Sequence, residues 1–270
     1  MSYYTPRGGL PPQTDLLTDR ALVTQAYTFI PKGVLRDIVT SNLPGFTKTR
    51  SWILARPIAG SATTFAQLIV EIGPGGGAEK PEPETGVEGV VFVTAGAVTL
   101  ELEGERHVLE AGGYAFLGPG ARWSLANEGD EPASFHWIRK AYERVAGVAA
   151  PGSFVTRDQD VEPQSMPDTD DAWATTRFVD PDDLSHDMHV NIVTFQPGGS
   201  IPFAETHVME HGLFVLQGKG VYRLNGDWVE CEAGDYMLLR AFCPQACYAG
   251  GPEPFRYLLY KDVNRQIRLA

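Results

Sequence analysis

Between residues 87 and 117 the chain reads as four short strands. A turn at Gly96 separates the first two, a polar turn at Gly104 the next two, and Glu110-Ala111-Gly112 precedes the last. β-branched and aromatic residues bounded by turn formers predict a meander of antiparallel strands. The same pattern returns 122 residues later. Laid without a gap over residues 209–239, Glu88, Phe92, Val93, Gly96, Leu102, Gly104 and Tyr114 meet identical residues at Glu210, Phe214, Val215, Gly218, Leu224, Gly226 and Tyr236. Two copies of one supersecondary unit imply two similar β domains. We expect residues 1–150 to form the first, 151–180 an irregular, acidic, Pro-containing linker, and 181–270 the second. Ala21-Leu22-Val23 and Trp52-Ile53-Leu54 are expected to add edge strands to the first repeat. The Gly- and Pro/Glu-rich stretch 73–84 reads as a mobile loop.

Composition strengthens the all-β reading. The chain has 29 Gly and 20 Pro among 270 residues, and both weaken helix interiors while supplying turn backbone angles. A net charge of −12 disfavours contact with nucleic-acid phosphates or anionic lipid surfaces, which need a positive footprint. No long uninterrupted apolar stretch is present, and the start lacks the basic-then-apolar pattern of a secretory signal, so a cytoplasmic protein without membrane association is expected. Cys231, Cys243 and Cys247 fit neither a disulfide framework nor a cysteine zinc site and read as buried packing.

Candidate chemistry is concentrated in the second repeat. Glu205, His207 and His211 are all odd-numbered, so one unbroken strand would project them from a single face. Three ionisable groups on a buried face need an ion or one another to offset desolvation, which makes them candidate metal ligands. In the run Phe255 to Lys261, Tyr257 and Lys261 also share parity, and together they could offer a phenol and an ammonium to a small anion. The offset of 122 maps Glu205, His207 and His211 onto Pro83, Thr85 and Gly89, none of them a metal ligand. The amino-terminal domain is therefore expected to be metal-free and structural, with His107 and His136 as ordinary histidines.

The spacing Gly199, Glu205, His207, His211, Gly218 resembles the first motif of the cupin superfamily, G-x5-H-x-H-x3,4-E-x6-G, with residue types exchanged. Counting the second motif from Gly234 places Gln245, whose counterpart at the offset of 122 is Trp123, at its metal-binding His, although Arg240 and Phe242 replace its Pro and Gly. The resemblance implies two tandem cupin (jelly-roll) β-barrels. It also implies a metal shell of Glu205, His207, His211 and Gln245, an oxygen and nitrogen set without thiolate that suits Mn2+ first and Fe2+ second. The segments His186 to Asn191, Glu205 to Gly212 and Tyr260 to Arg265 are similar to the bicupin (S)-ureidoglycine aminohydrolase family. That resemblance implies a manganese-dependent hydrolase that turns (S)-ureidoglycine into (S)-ureidoglycolate and ammonia in allantoin degradation. Glu205, Tyr222, Tyr257 and Lys261 would contact the substrate, with Glu205, Lys261 and Tyr257 as catalytic candidates. Relatives also imply a homo-oligomer. The fold and a His/Glu site are also compatible with a metal-dependent cupin dioxygenase or isomerase, whereas the dense Glu/His/His/Gln set argues against a storage bicupin without a metal.

Overall fold

A computed structural model describes residues 20–35, 40–57 and 63–262. Nearly all regular structure is β, and no helix among the described residues is long and apolar enough to cross a membrane.

The repeat folds as two β-barrels. In the first, the strands Val87–Ala95, Ala97–Leu102, Glu105–Glu110 and Gly113–Leu117 form the expected meander, closed by Phe65–Ala78, Trp123–Ala126 and Ala133–Ala141. In the second, Met188–Phe195, His211–Gln217, Tyr236–Leu239 and Phe255–Asp262 lie in one sheet. Facing it is a four-stranded sheet of Ser200–Glu205, Gln245–Ala249, Lys219–Leu224 and Asp227–Glu232. The turns repeat with the offset. Gly96 and Gly218 both have positive φ, and a Cβ on either would come within 2.8 Å and 2.4 Å of Pro132 O and Pro254 O, themselves 122 residues apart. Only glycine fits there without strain.

The sheets divide the chain differently from the expected boundaries. Leu22–Val23 and Tyr27–Ile30 cross to the second barrel, where Tyr27–Ile30 pairs with Tyr236–Leu239. Only Phe46–Ala55 joins the first repeat, against Phe65–Ala78. The linker is not irregular: Phe154–Arg157 extends the first barrel, while Gln164–Ser165 and Trp173–Thr176 extend the second. The loop expected at 73–84 begins as strand, since Phe65–Ala78 runs through it. Its glycines permit close approach, because a Cβ on Gly76 or Gly77 would stand 2.6 Å from Thr47 O or 2.2 Å from Leu125 O.

Each barrel also packs on the other. Val91, Val93, Ala115 and Leu117 fill the first barrel, while the alternate residues Val90, Phe92, Tyr114 and Phe116 face outward. They meet Met188, Val190, Ile192, Tyr236, Leu238, Leu258 and Tyr260, whose own alternates Val193, Met237, Leu239 and Tyr257 fill the second barrel. Phe65 and Tyr260 stack across this interface with ring centroids 3.7 Å apart. A sheet buried on both faces explains why runs such as Val-Val-Phe-Val show no polar alternation. One large sheet from each barrel thus backs onto the other, leaving the mouth of the second barrel as a separate pocket.

Candidate active site in the second barrel

The predicted ligands come together by a different route from the one parity suggests. Ser200–Glu205 ends at Glu205, residues 206–210 cross from the small sheet to the large one, and His211 opens the next strand. The ladder also slips between Ile201 and Glu205, so one continuous strand face does not exist. The crossing is fixed by the turn at 240–243: Thr206 Oγ1 donates to Phe242 O at 2.8 Å, and Phe242 N donates to His207 O at 2.7 Å. Phe242 takes a φ of 63° to make this turn, an uncommon conformation for a non-glycine residue.

That geometry brings His207 Nε2 within 3.2 Å of His211 Nε2 and 3.0 Å of Gln245 Nε2, while Glu205 pairs with Gln245 across the ladder. Two ring nitrogens this close must either share a proton or turn both lone pairs toward one ion. Their spacing is that of neighbouring ligands around a metal with bonds of about 2.1 Å. Burial, with the charges of His207 and Lys261, holds the His211 imidazole down to about 3, so it stays neutral and able to ligate. Glu205 stands slightly apart. Among the described residues no three His, Cys, Asp or Glu side chains gather closely enough as placed to enclose an ion. The nearest third partner of the imidazoles is the Gln245 amide. Its oxygen accepts from Tyr222 OH at 3.2 Å, which leaves the nitrogen facing His207. The set of two imidazoles, one carboxylate and one amide has the chemistry to hold a divalent ion once the amide exchanges its ends. Tyr222 OH can donate or accept, so it tolerates either orientation.

The pocket beside these residues has a volume of about 140 Å³, and its lining includes Glu205, His211, Tyr222, Gln245, Tyr257 and Lys261. Tyr222 rises from the small sheet and Tyr257 from the large one, and their hydroxyls lie 3.5 Å apart. Burial raises both phenols well above their ordinary value, which keeps them protonated as donors. Lys261 is level with His211 on the adjacent strand. Burial and then the Arg177 charge lower its pKa, against the pull of Asp262 and Glu205. Burial raises the Glu205 carboxyl, with His207 and Lys261 opposing. A carboxylate moved upward and an ammonium moved downward are the shifts proton transfer near neutrality requires.

Two lining residues, Arg177 and Asn191, have no assigned role in the sequence reading. Asn191 lies in the segment His186 to Asn191, and its odd position beside Val193 on a barrel strand was the signal for an inward side chain. Residues 263–265 of the other singled-out segment lie outside the described residues. In the first barrel, Pro83, Thr85, Gly89 and Trp123 all line a larger cavity of about 660 Å³. They therefore occupy the positions corresponding to the ligand set. His136 is fully buried between the barrels, its ring 4.2 Å from that of Phe214, and His107 is partly exposed beside Glu105.

The cupin domain family model matches residues 68–139 and 191–260. (S)-ureidoglycine aminohydrolase of Escherichia coli (strain K12) is 32% identical over 258 residues, covering 94% of this chain and 95% of that protein. The Arabidopsis thaliana enzyme of the same name is 31% identical, covering 84% and 73%. The crystal structure of a Pseudomonas aeruginosa protein described as glyoxylate-induced superposes with a TM-score of 0.90 at 61% identity, covering 100% of this chain and 99% of that one. With both repeats matched as cupin domains and the Escherichia coli enzyme aligned nearly end to end, the chain belongs to the cupin superfamily and, within it, to the (S)-ureidoglycine aminohydrolase family.

Proposed function

We propose that this protein is a manganese-dependent hydrolase that converts (S)-ureidoglycine and water to (S)-ureidoglycolate and ammonia in allantoin degradation. The observation that carries the reading is a single small pocket lined by the His211 imidazole, which faces His207 at 3.2 Å, with a raised carboxyl and a lowered ammonium, in a chain aligned over nearly its whole length with named aminohydrolases. Glu205, His207, His211 and Gln245 would hold the ion. When bound, it supplies positive charge that anchors an anionic substrate and stabilises charge developing at the reacting carbon.

In the reaction the bond from the α-carbon to the amine nitrogen breaks, and a bond to a water oxygen forms. The leaving amine takes up a proton, and the water gives one up. Lys261 Nζ, with its lowered pKa, donates the proton to the amine, and Glu205, with its raised pKa, accepts the one from water. Tyr222 and Tyr257 remain protonated and orient substrate oxygens, which fixes the enantiomer that reacts.

Two measurements on the protein as purified test the reading. Metal analysis should find manganese at one ion per chain, and freshly generated ureidoglycine should release ammonia stereospecifically without oxygen. Bound iron with oxygen uptake on an aromatic substrate would replace this reading with a dioxygenase. Lys261→Met should lower kcat by about a hundredfold, within the range for loss of a general acid. Near-normal turnover with unchanged affinity would remove Lys261 from the mechanism.

A further inference from the structure

The reaction above uses one side of the pocket. The other side is built by the strands Trp173–Thr176 and Met188–Phe195, from which Thr175, Asn191 and Val193 reach the cavity beside Arg177. The two strands are antiparallel with Thr176 level with Ile192, and Arg177, directly after that last pair, lines the same pocket as Asn191, the next residue on the neighbouring strand. On the other flank Asn191 is level with Leu259, between Tyr257 and Lys261 on their strand.

Both side chains carry unmet hydrogen-bonding capacity. Asn191 is 3% exposed, and its amide oxygen is buried with no partner among the described residues; Arg177 Nε is buried and unpartnered in the same way. Among the described residues lining the pocket, Glu205 is the only acidic one, against the two cations Arg177 and Lys261. Buried polar groups in folded proteins are almost always satisfied, so an unpaired acceptor and an unpaired donor at neighbouring positions of a pocket wall point to a ligand that supplies both partners. A carboxylate alone cannot: it offers acceptors to Arg177 and Lys261 but no N–H to Asn191. A carbamoyl end, with a carbonyl oxygen beside an NH2, offers an acceptor and a donor together.

Building on the proposed reaction, we infer that Arg177 and Asn191 form a carbamoyl-reading subsite, Arg177 donating to the ureido carbonyl and Asn191 accepting from the terminal NH2. Lys261 is left to the carboxylate and the leaving amine. The subsite makes the ureido group the element that selects substrate, and α-amino acids lacking it are excluded because they leave both wall residues unpaired.

Calorimetric binding of two unreactive ligands to the manganese-loaded protein tests this. N-carbamoylglycine carries the ureido end without the α-amine, and N-acetylglycine replaces only the terminal NH2 by a methyl group. The wild type should bind N-carbamoylglycine at least about tenfold more tightly, the discrimination expected when one buried acceptor is left unpaired. Asn191→Leu should reduce the ratio to about twofold by weakening N-carbamoylglycine alone, while Arg177→Met should weaken both ligands, since both carry the carbonyl. If Asn191→Leu fails to fold, as read by its thermal transition, the same ratio is measured in Asn191→Ser. Equal wild-type affinities, no measurable binding of N-carbamoylglycine, or a ratio unchanged in the Asn191 variants would overturn the subsite. Neither ligand is turned over, so failure of ammonia release from ureidoglycine would count separately, against the reaction.

Discussion

Histidine serves two physical purposes in this molecule, and burial separates them by neighbours. His136 lies between the barrels with Gln67 Nε2 3.5 Å from its Nδ1, and burial lowers its pKa from 6.5 to about 3. Its folded pKa is depressed, so its contribution to stability is complete above pH 6.5 and is lost as pH falls toward 3. The slope for one such group is about 1.4 kcal/mol per pH unit. His189, lowered to about 4 by burial and then by the Lys261 charge, acts in the same direction. Urea unfolding at pH 7 and pH 5 should therefore show lower stability at pH 5, and His136→Leu should reduce that difference by about 2 kcal/mol in all, since the full slope applies only below pH 6.5. An unchanged slope would contradict the burial argument. His207 and His211, in contrast, face each other through Nε2, with Gln245 held by Tyr222. On the proposed metal reading, Tyr222→Phe should weaken manganese retention by about tenfold in chelator competition, because no hydroxyl would then accept from Gln245 Nε2 and hold the exchanged amide with its oxygen toward the ion.

At the scale of elements, equivalent turns in the two barrels carry the same constraint. Gly218 has a φ of 77°, and an added Cβ would lie 2.4 Å from Pro254 O. Gly218→Ala should thus cost at least about 1 kcal/mol. Gly226, in the next hairpin, has no atom within 4 Å of an added Cβ, and Gly226→Ala should change stability by no more than about 0.5 kcal/mol. Chemical denaturation of both variants checks the contrast. The site depends on elements in the same way. Glu205 and His211 belong to different sheets, and only the crossing at 206–210, tied down by Phe242, sets the distance between the carboxylate and the imidazoles.

At the scale of the whole molecule, the barrels are joined by a polar network as well as by apolar packing. Lys140 of the first barrel forms a buried ion pair with Asp187 of the second, and Asp187 also accepts from Glu143 N at 2.8 Å. Thr64 donates through its backbone N at 2.8 Å and through its hydroxyl to Glu210, whose own N donates to Asp262 at 2.7 Å. Glu210 precedes His211 and Asp262 follows Lys261, so the first barrel braces the backbone on both sides of the site. Removing one member of a buried ion pair leaves the other charge uncompensated. Lys140→Met should therefore lower stability by about 3–5 kcal/mol, and both barrels should melt in one calorimetric transition. Two separated transitions in the wild type would show that the interface does not couple them.

The sequence by itself determined the duplication, the all-β class and the residues of the candidate ligand set, because strand period, turn chemistry and motif spacing are local properties. Tyr222, Tyr257, Lys261, Glu205, His211 and Gln245 do share one pocket. Tertiary structure alone decided how the chain is shared between barrels. The strands at 22–30 and 154–157 are assigned by partners about 200 and 40 residues away in sequence, which no local window contains. It also decided that Gly76 and Gly77 belong to a crowded strand, since a glycine needed for close approach looks in sequence like a glycine needed for flexibility. The placement of Glu205 and His211 in one pocket is of the same kind: a chain crossing between two sheets replaces the single strand face that parity suggests, because closing a barrel obliges strands to change sheets at its corners.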